Sequence, residues 1–331
     1  TSQSINSVST EIIILPGSIN DASNLIISKS IDILFYLDIG MSNFLYLLSL
    51  SRLALVQATT VGHPNTSGSS EIDYFISCEN FETNKSDKFY SERLIRLSRI
   101  PFNYSIPAIN KNTLNFSDID IPKKSFLIGI PHSPYKFHPD YDLVLAKILE
   151  EIPNSYLFYV EGLKKNDNEK LKYRWSKCTK LILNRTIILP RVGIDEFLEI
   201  VNNLDIMLDP FYFGMGNTFY QSMAFNTPVV TMPTPQARSR TAYAGYMQMG
   251  IKNAPIAKSK DEYIFFCKEL AHNKSYMDNI KFQIKCNAKT LLFNDDRIYK
   301  EYIDFFKASV DAAQKDTLLP TNWRPKNYIP K

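Results

Sequence analysis

The stretch Leu204–Thr231 reads LDIMLDPFYFGMGNTFYQSMAFNTPVVT and decides the fold. It begins with a short apolar run and continues through a turn that contains Gly214 and Gly216. A segment with helical spacing then starts near Asn217 and leads into the second apolar run, PVVTM. Strand, turn, helix and strand in this order form the βαβ unit of a parallel sheet, so the stretch predicts an α/β fold.

The sequence on both sides of this stretch continues the alternation. Upstream, the predicted strands SFLIGIP, SYLFYVEG and RTIILP are separated by helical segments at about 141–151 and 170–178, and a helix at 195–201 follows. Downstream, helices are predicted through Tyr243, Phe265 and Ile284, and a last amphipathic helix covers 296–314. This order predicts one doubly wound α/β lobe.

The first third of the chain predicts a second such lobe. The apolar runs EIIIL (11–15), DILFYL (32–37), ALVQATTV (54–61) and IDYFIS (72–77) read as strands, with a helix near 22–28. A polar, proline-containing stretch at 103–124 reads as a linker. We therefore predict an N-terminal Rossmann-like lobe at 1–115, a C-terminal lobe at 124–294, and a helix and tail at 295–331 that pack back on the lobes. Two such lobes hold ligands in the cleft between them.

Composition excludes several classes of protein. The 331 residues carry 38 Lys and Arg against 34 Asp and Glu, and these charges are scattered, so nucleic-acid binding is not expected. The four cysteines show no CxxC spacing, which argues against a zinc site and a disulfide framework. No signal peptide and no transmembrane span is predicted, so we expect a globular cytoplasmic protein.

The turn after DIMLD is a candidate phosphate site. Gly214 and Gly216 allow close approach of the backbone, Asn217 or Thr218 can cap the helix, and amides at a helix start suit a pyrophosphate. Gln221 lies one turn further on and is placed to reach a ribose hydroxyl. An ordinary glycine-containing turn before a capped helix fits the spacing equally well. Past the next strand, Arg238 and Arg240 form either a second anion contact or a solvated basic pair.

The loop after SFLIGIP carries a candidate cation. It reads HSPYKFHPD and contains His132, Ser133 and Lys136, of which Lys136 is best suited to a diphosphate leaving group. A solvated surface lysine is the alternative. The acidic pairs Asp118–Asp120 and Asp295–Asp296 fall in the linker and at a predicted helix start, so no metal site is expected.

The loop after ALVQATTV carries a candidate acid–base residue. It reads GHPNTSG, with Gly62, His63, Thr66 and Ser67 at the predicted carboxyl end of a strand. A histidine there is placed to titrate against an acceptor hydroxyl or to contact a phosphate. A hydrogen-bonded structural histidine is the alternative.

Taken in order, these loops resemble the catalytic region of the O-linked N-acetylglucosamine transferase family, especially its bacterial members that follow tetratricopeptide repeats. The matching segments run from about residue 10 to 310, and they include DILFYLDIGM, RLALVQATTVGHPNTSGSSEIDYFIS, FYSERLIRL, SPYKFHPDYD, LDIMLDPFYFGMGNTFYQSMAFNTPVVTMP and RSRTAYAGYMQMGI. The resemblance implies a GT-B fold with two Rossmann-like lobes and inverting transfer from a UDP-sugar without a metal. The GHP motif also resembles that of related bacterial cytoplasmic N-glucosyltransferases.

By position, the resemblance places Lys136 on the diphosphate and Asn217 with Thr218 beneath it. Gln221 or Ser222 stands where an acidic residue usually meets the ribose, and Ile194 and Phe197 replace a lysine and a histidine of the family. The segment that precedes EIIILPGS in family members is not present here. The resemblance therefore implies a shortened first lobe, or a fragment that a missing N-terminal segment or a partner chain completes.

Together these patterns predict an inverting, metal-independent transferase that moves GlcNAc or glucose from a UDP-sugar to a Ser, Thr or Asn side chain of a protein. We predict catalytic roles for His63 and Lys136, and an acceptor side formed by the remaining residues of the GHPNTSG loop. The predicted donor-site residues are His132, Ser133, Lys136, Gly214, Gly216, Asn217, Thr218, Gln221 and Arg240. The alternatives are a glycan-directed transferase and a degenerate subunit that binds a UDP-sugar or a partner without turnover.

Overall fold

The computed structural model describes residues 11–108, 116, 119–326 and 328. These residues divide into two compact units. The first comprises the described parts of Thr1–Ser77, Asp87–Leu97 and Glu301–Lys331, and the second comprises those of Cys78–Ser86 and Ser98–Lys300. The predicted end of the first lobe at residue 115 and the linker residue Asp118 lie outside the described residues.

The first unit is built on a four-stranded sheet. Its helices are α1 (Ile19–Ser28) and α2 (Asn43–Leu48), and its strands are β1 (Ile33–Tyr36), β2 (Val56–Thr60), β3 (Tyr74–Cys78) and β4 (Arg93–Leu97), in the order β1-β2-β3-β4. The pairs β1–β2 and β2–β3 are parallel. Strands β2 and β3 are buried along their whole length, which fits their mostly apolar and β-branched sequences. The buried amide of Gln57 in β2 donates to the carbonyl oxygens of Ser51 and Glu71.

The second unit contains the other sheet, of five strands. In chain order its elements are β5 (Phe126–Gly129), α3 (Pro139–Glu151), β6 (Ser155–Val160), α4 (Lys165–Cys178), α5 (Lys180–Asn184), β7 (Thr186–Leu189), α6 (Ile194–Asn203), β8 (Ile206–Leu208), α7 (Asn217–Ala224), β9 (Val229–Val230), α8 (Thr241–Met249), α9 (Lys260–His272) and α10 (Lys274–Leu291). The predicted α/β class and the strands of this lobe are confirmed.

The strand order of the second sheet fixes where a ligand fits. The order is β7-β6-β5-β8-β9, and all four strand pairs are parallel. The winding therefore reverses between β5 and β8, and in open α/β sheets the loops at the carboxyl ends of two such strands bound a ligand crevice. Gly129 at the end of β5 leaves room for the Met207 side chain of β8, because a Cβ at this position would lie 2.3 Å from the Met207 sulfur.

A last helix, α11 (Arg297–Ala313), passes from the second unit into the first. Within the first unit it contributes aromatic side chains to the sheet: the ring centroids of Phe305 and Tyr74 lie 5.3 Å apart, edge to face. The tail is attached as well, since the Leu319 amide donates to the Tyr74 hydroxyl at 3.0 Å and Trp323 packs on Phe305.

Two details of the first unit differ from the sequence prediction. The run EIIIL was predicted to be a strand, but residues 11–16 form no strand and Ile14 is 90% exposed. An apolar run becomes a strand only where a neighbouring strand accepts its hydrogen bonds, and β1 pairs with β2 alone in the described sheet. The second difference is β4, whose sequence RLIRL was not recognised as a strand.

Candidate functional site

The loop after β5, Pro131–His138, places a neutral histidine at the switch point. His132 is buried, and its Nε2 lies 2.7 Å from the carbonyl oxygen of Leu208 at the end of β8. Because a carbonyl only accepts, Nε2 carries the proton and donates it. Burial lowers the pKa of His132 to about 3, with a smaller effect from the nearby Lys136 charge. His132 thus joins the ends of the two central strands as an uncharged ring.

Lys136 lies on the short 3₁₀ helix Pro134–Lys136 of the same loop. Its Nζ donates to the carbonyl oxygen of Gly214 at 2.7 Å and lies 4.6 Å from the ring centroid of Phe213. Burial lowers the pKa of Lys136, and the neighbouring Asp209 carboxylate opposes that effect. The sequence alternative of a solvated surface lysine is therefore wrong: the ammonium group is half-buried and held over the loop that follows β8.

That loop, Asp209–Gly216, is called the β8 loop below. Asp209 is 2% exposed, and its Oδ1 accepts from the Met215 amide at 2.6 Å. A Cβ on Gly214 would lie 2.7 Å from the same carboxylate oxygen, so the loop passes over Asp209 only because residue 214 is glycine. The Gly214 amide donates to the carbonyl oxygen of Arg238 at 2.9 Å.

The hydrogen bonds of the β8 loop change which amides can meet an anion. The sequence predicted donors from Gly214 onward, but the amides of Gly214 and Met215 are used within the protein. The next amides belong to Gly216, Asn217 and Thr218 at the start of α7, and among the described residues no group accepts from them. The first amides of an α-helix have no partner within the helix and, with the helix dipole, favour anions.

Gln221 occupies the next turn of α7 and is 8% exposed, whereas Asn217 is exposed. Its neighbour Tyr220 is fully buried and stacks on Tyr104, with ring centroids 4.5 Å apart. The ribose contact predicted for Gln221 remains a prediction.

The two arginines after β9 have different environments. The Arg240 guanidinium donates to the carbonyl oxygens of Asn80 and Thr234, both at 3.2 Å, and lies 4.4 Å from the ring centroid of Tyr243. Burial lowers its pKa. Arg238, in contrast, has a buried Nε with no hydrogen-bond partner among the described residues. The sequence predicted Arg240 as a ligand contact, and this remains a prediction. The structure distinguishes the two arginines by the unpartnered Nε of Arg238, a difference that the sequence did not show.

A cavity of about 240 Å³ lies at the carboxyl ends of β5, β6 and β7. Three loops line it, with the residues Pro131, His132, Ser133, Val160, Glu161, Gly162, Arg191, Val192, Gly193, Ile194 and Phe197. The wall therefore contains both positions at which the sequence departs from the resembled family, Ile194 and Phe197. Glu161 is ion-paired with Lys172 at 2.5 Å, so its carboxylate has a fixed direction.

In the first unit, the loop after β2 holds His63 in a defined position. A Cβ on Gly62 would lie 1.9 Å from the carbonyl oxygen of Leu37, so only glycine fits there. The His63 ring packs against Gly40, and its Nε2 lies 3.3 Å from Nδ2 of Asn65. Because an amide nitrogen donates, Nε2 accepts here and the neutral ring carries its proton on Nδ1.

The two hydroxyl residues of that loop are bound to a buried carboxylate that the sequence did not single out. Glu92 is 6% exposed; it accepts from the Thr66 hydroxyl at 2.7 Å and from the Ser67 amide at 2.7 Å. The Ser67 hydroxyl donates to the same carboxylate. Thr66 and Ser67, predicted on the acceptor side, thus anchor the loop through Glu92, which precedes β4, the strand that the sequence did not reveal.

No helix among the described residues is long and apolar enough to cross a membrane. In the same part of the chain, no three His, Cys, Asp or Glu side chains lie together as metal ligands would. Asp295, predicted to serve a helix start, is buried and pairs with Arg99 and Arg297.

Comparison with known proteins identifies relatives of this chain. The model of glycosyl transferase family 41 matches residues 118–303. The UDP-glucose:protein N-beta-glucosyltransferase of Actinobacillus pleuropneumoniae serotype 5b is 24% identical over 265 residues, covering 80% of this chain and 42% of that protein. The Arabidopsis thaliana protein named "Probable UDP-N-acetylglucosamine--peptide N-acetylglucosaminyltransferase SEC" is 23% identical over 244 residues, covering 72% and 25%. This chain thus spans less than half the length of either relative.

Among solved structures, a mutant of the Thermobaculum terrenum O-GlcNAc transferase superposes with a TM-score of 0.79 and 19% sequence identity. The match covers 96% of this chain and 60% of that one. Such neighbours are GT-B glycosyltransferases, so the predicted GT-B fold class is confirmed.

Proposed function

The chain belongs to glycosyl transferase family 41, and from that membership we propose that it transfers a sugar from a UDP-sugar to a side chain of a protein. The names of the two relatives support these donor and acceptor classes: one is a UDP-glucose:protein N-beta-glucosyltransferase and the other a probable UDP-N-acetylglucosamine–peptide N-acetylglucosaminyltransferase. Glucose and GlcNAc are therefore the two sugars to test.

The observation that carries the proposal is the position of Lys136 at the switch point of the second sheet. Its ammonium group is held on the carbonyl oxygen of Gly214, two residues before the amides of Gly216, Asn217 and Thr218. A half-buried cation beside free helix amides suits a diphosphate. We assign this cluster to the diphosphate of the donor.

We assign the cavity beside this cluster to the nucleoside of the donor. It opens at the ends of three parallel strands and shares the β5 loop with Lys136, so a nucleotide bound there reaches from a mixed apolar and polar pocket to the cation. His132 presents a neutral ring to it, and Ser133 offers a hydroxyl. Ile194 and Phe197 make its far wall apolar.

We propose inverting transfer in which the protein's own donors stabilise the departing UDP without a metal. Negative charge grows on the diphosphate as the glycosidic bond breaks, and donors already in place there are typically worth about 3 kcal/mol each. Lys136 and the three helix amides supply such donors, and Arg238 adds a guanidinium whose Nε has no partner among the described residues. The free Arg238 Nε favours it over Arg240 for this role.

On the acceptor side, we propose that His63 orients or deprotonates the accepting group. Its ring is fixed by Gly40 and Asn65, as a general base must be. In the neutral ring Nε2 is the basic atom, and Asn65 donates to it, so the acceptor must displace Asn65 before it can use that atom.

The experiment is a transfer assay with UDP-glucose and UDP-GlcNAc on peptides that present Asn or Ser and Thr, scored by UDP release and by peptide mass. The proposal predicts a mass gain of one hexose or one N-acetylhexosamine, abolished in Lys136→Met and retained when the exposed Lys170 is changed to Met. UDP binding without any transfer would instead favour the alternative that the chain is a subunit that binds a UDP-sugar without turnover. No UDP binding would exclude both. If His63→Ala transfers the sugar at the wild-type rate at every pH, His63 is not the general base.

A further inference from the structure

Asp209 is a buried carboxylate at the start of the β8 loop, and the loop folds back over it at Gly214 and Met215. It follows β8 at the switch point and is 2% exposed. Each carboxylate oxygen has a partner: Oδ1 accepts from the Met215 amide at 2.6 Å, and Oδ2 accepts from the Thr231 hydroxyl at 2.7 Å. Its carbonyl oxygen accepts from the Tyr263 hydroxyl at 3.0 Å.

The bond from Asp209 to Met215 sets the conformation of the β8 loop. It spans six residues and crosses Gly214, where a side chain would collide with the carboxylate. The next three amides along the chain are those of Gly216, Asn217 and Thr218. The carboxylate therefore fixes the last residue before the amides that we assign to the diphosphate.

The charges around Asp209 are few. Burial raises the pKa of Asp209 to about 6, while its hydrogen bonds and the Lys136 charge act in the opposite direction. The other titratable groups that interact with it from the packed helices are the hydroxyls of Tyr141, Tyr246 and Tyr263, and burial raises the pKa of each. His132, which interacts with Lys136 from the β5 loop, is neutral. Among the described residues, the charged group that acts on the Asp209 carboxylate is thus the Lys136 ammonium.

A diphosphate bound beside Lys136 would add at least two negative charges next to the Asp209 carboxylate. Like charges in a buried site oppose each other's ionisation, so the carboxylate favours its protonated form once the diphosphate is present. The hydrogen bonds permit this change. A hydroxyl both donates and accepts, so the Thr231 hydroxyl can turn to accept a hydrogen bond from a protonated Oδ2 while Oδ1 still accepts from the Met215 amide.

We propose that Asp209 is the positioning residue of the diphosphate site: it holds the β8 loop through the Met215 amide and takes one proton from solvent when the diphosphate binds beside Lys136. The inference rests on the proposed function, because it needs a diphosphate at Lys136. Its consequence is that the positive charge of Lys136, which the Asp209 carboxylate balances before a diphosphate binds, becomes available to the leaving group.

The direct test is carbon-13 NMR of protein labelled at the aspartate carboxyl carbons, with the Asp209 signal identified by its loss in Asp209→Asn. Saturating UDP at pH 7 should move this signal to its protonated position. The Asp205 signal serves as an internal control. Asp205 likewise accepts a backbone amide, from Leu127, and burial raises its pKa, but it lies at the opposite end of β8. A UDP-bound protein whose Asp209 signal stays at the ionised position would overturn the inference and leave the proposed function intact.

Binding measurements separate the two roles of Asp209. Asp209→Asn keeps an oxygen for the Met215 amide and needs no proton, so the ratio of its UDP affinity to the wild-type affinity should rise as pH increases from 6 to 8, by up to about tenfold per pH unit. Asp209→Ala loses the loop contact and should bind UDP at least about tenfold more weakly at every pH. Asp205→Asn should show no change in ratio with pH. A constant ratio for Asp209→Asn contradicts the proton uptake.

Inorganic pyrophosphate separates this inference from the proposed function. If UDP does not bind but pyrophosphate does, and moves the Asp209 signal, the inference stands and the nucleotide assignment fails. If neither binds, both fail.

Discussion

The Nζ atom of Lys136 lies 2.7 Å from the carbonyl oxygen of Gly214, and this bond joins the loops that follow β5 and β8. The two residues are 78 positions apart in the sequence. They meet because β5 and β8 are neighbours in a parallel sheet, so their carboxyl ends share one edge. The predicted cation and the predicted phosphate turn therefore form one cluster.

Replacing Lys136 by Met should weaken UDP binding by about 10- to 100-fold, because a charge-assisted hydrogen bond contributes about 1.5–3 kcal/mol. The same change should leave the melting temperature equal or higher, since burial already disfavours the charged ammonium in the folded protein. Titration calorimetry and thermal unfolding measure the two effects. The control is Lys170→Met on the exposed face of α4. Unchanged affinity in Lys136→Met would remove the lysine from the donor site.

Replacing Gly214 by Ala tests the β8 loop. The added Cβ would lie 2.7 Å from a buried carboxylate oxygen of Asp209, so the loop must shift, at a cost of about 1–3 kcal/mol in the free energy of unfolding. UDP affinity should fall with it, because the helix amides move. Gly17→Ala is the control, since its Cβ would meet nothing within 4 Å. If Gly214→Ala and Gly17→Ala are equally stable in urea, the backbone at residue 214 does not lie close to the Asp209 carboxylate.

The sequence predicted the second unit well because each of its strands is a continuous apolar run bounded by turn residues, and parallel buried strands have this pattern. It also pointed to the cation Lys136 and the turn around Gly214, which the switch point brings together. The strands followed from local patterns of apolar residues, whereas the donor roles of Lys136, Asn217 and Thr218 followed from the resemblance to the family and stay predictions.

The sequence did not reveal which groups hold these loops, because the partners are far apart in the chain. Nothing near residue 67 indicates that Glu92, 25 positions away, accepts from both its amide and its hydroxyl. Nothing in the pair Arg238 and Arg240 shows that one guanidinium is occupied by Asn80 while the other has a free Nε. The run EIIIL has the composition of a strand, but no strand of the described sheet lies beside it. Composition alone does not show whether a neighbouring strand is present.

His132 should make the protein sensitive to acid. Its pKa is about 3 in the folded protein and 6.5 in an unfolded chain, so the unfolded state binds more protons between these values. The stability that the neutral ring contributes is complete above pH 6.5 and is lost as the pH falls, by about 3 kcal/mol at pH 4. His132→Gln removes this dependence while offering a side-chain N–H to Leu208. Urea unfolding at pH 7 and pH 4 measures the difference, with the exposed His272→Gln as control. If the wild type and His132→Gln lose the same free energy of unfolding between pH 7 and pH 4, His132 is not responsible for the acid sensitivity.

Glu92 should control the loop that carries His63. Glu92→Ala leaves the Thr66 hydroxyl and the Ser67 amide without their acceptor, so we expect a loss of about 2 kcal/mol in the free energy of unfolding and faster hydrogen exchange at the Ser67 amide. Glu92→Gln keeps one oxygen and should show a smaller effect. Sugar transfer to peptide should fall in Glu92→Ala while UDP affinity stays the same, because the hydrogen bonds of the Glu92 carboxylate to described residues go to Thr66 and Ser67 of the loop after β2. A Ser67 amide that exchanges at the wild-type rate in Glu92→Ala would contradict the anchoring role.

Arg238 is the residue that we propose as a further donor to the diphosphate, and this role can be tested against that of Arg240. A buried guanidinium nitrogen without a hydrogen-bond partner lowers the free energy of unfolding, and an anion that bonds to it restores that loss. We therefore expect Arg238→Gln to weaken UDP binding by about tenfold. The unliganded variant should be as stable as the unliganded wild type. Arg240→Gln should instead lower the stability of the unliganded protein, because it removes the bonds to Asn80 and Thr234. Calorimetry with UDP and unfolding without it give the two readouts for each variant. If Arg238→Gln binds UDP as wild type does and Arg240→Gln does not, the original sequence assignment of Arg240 is the better one.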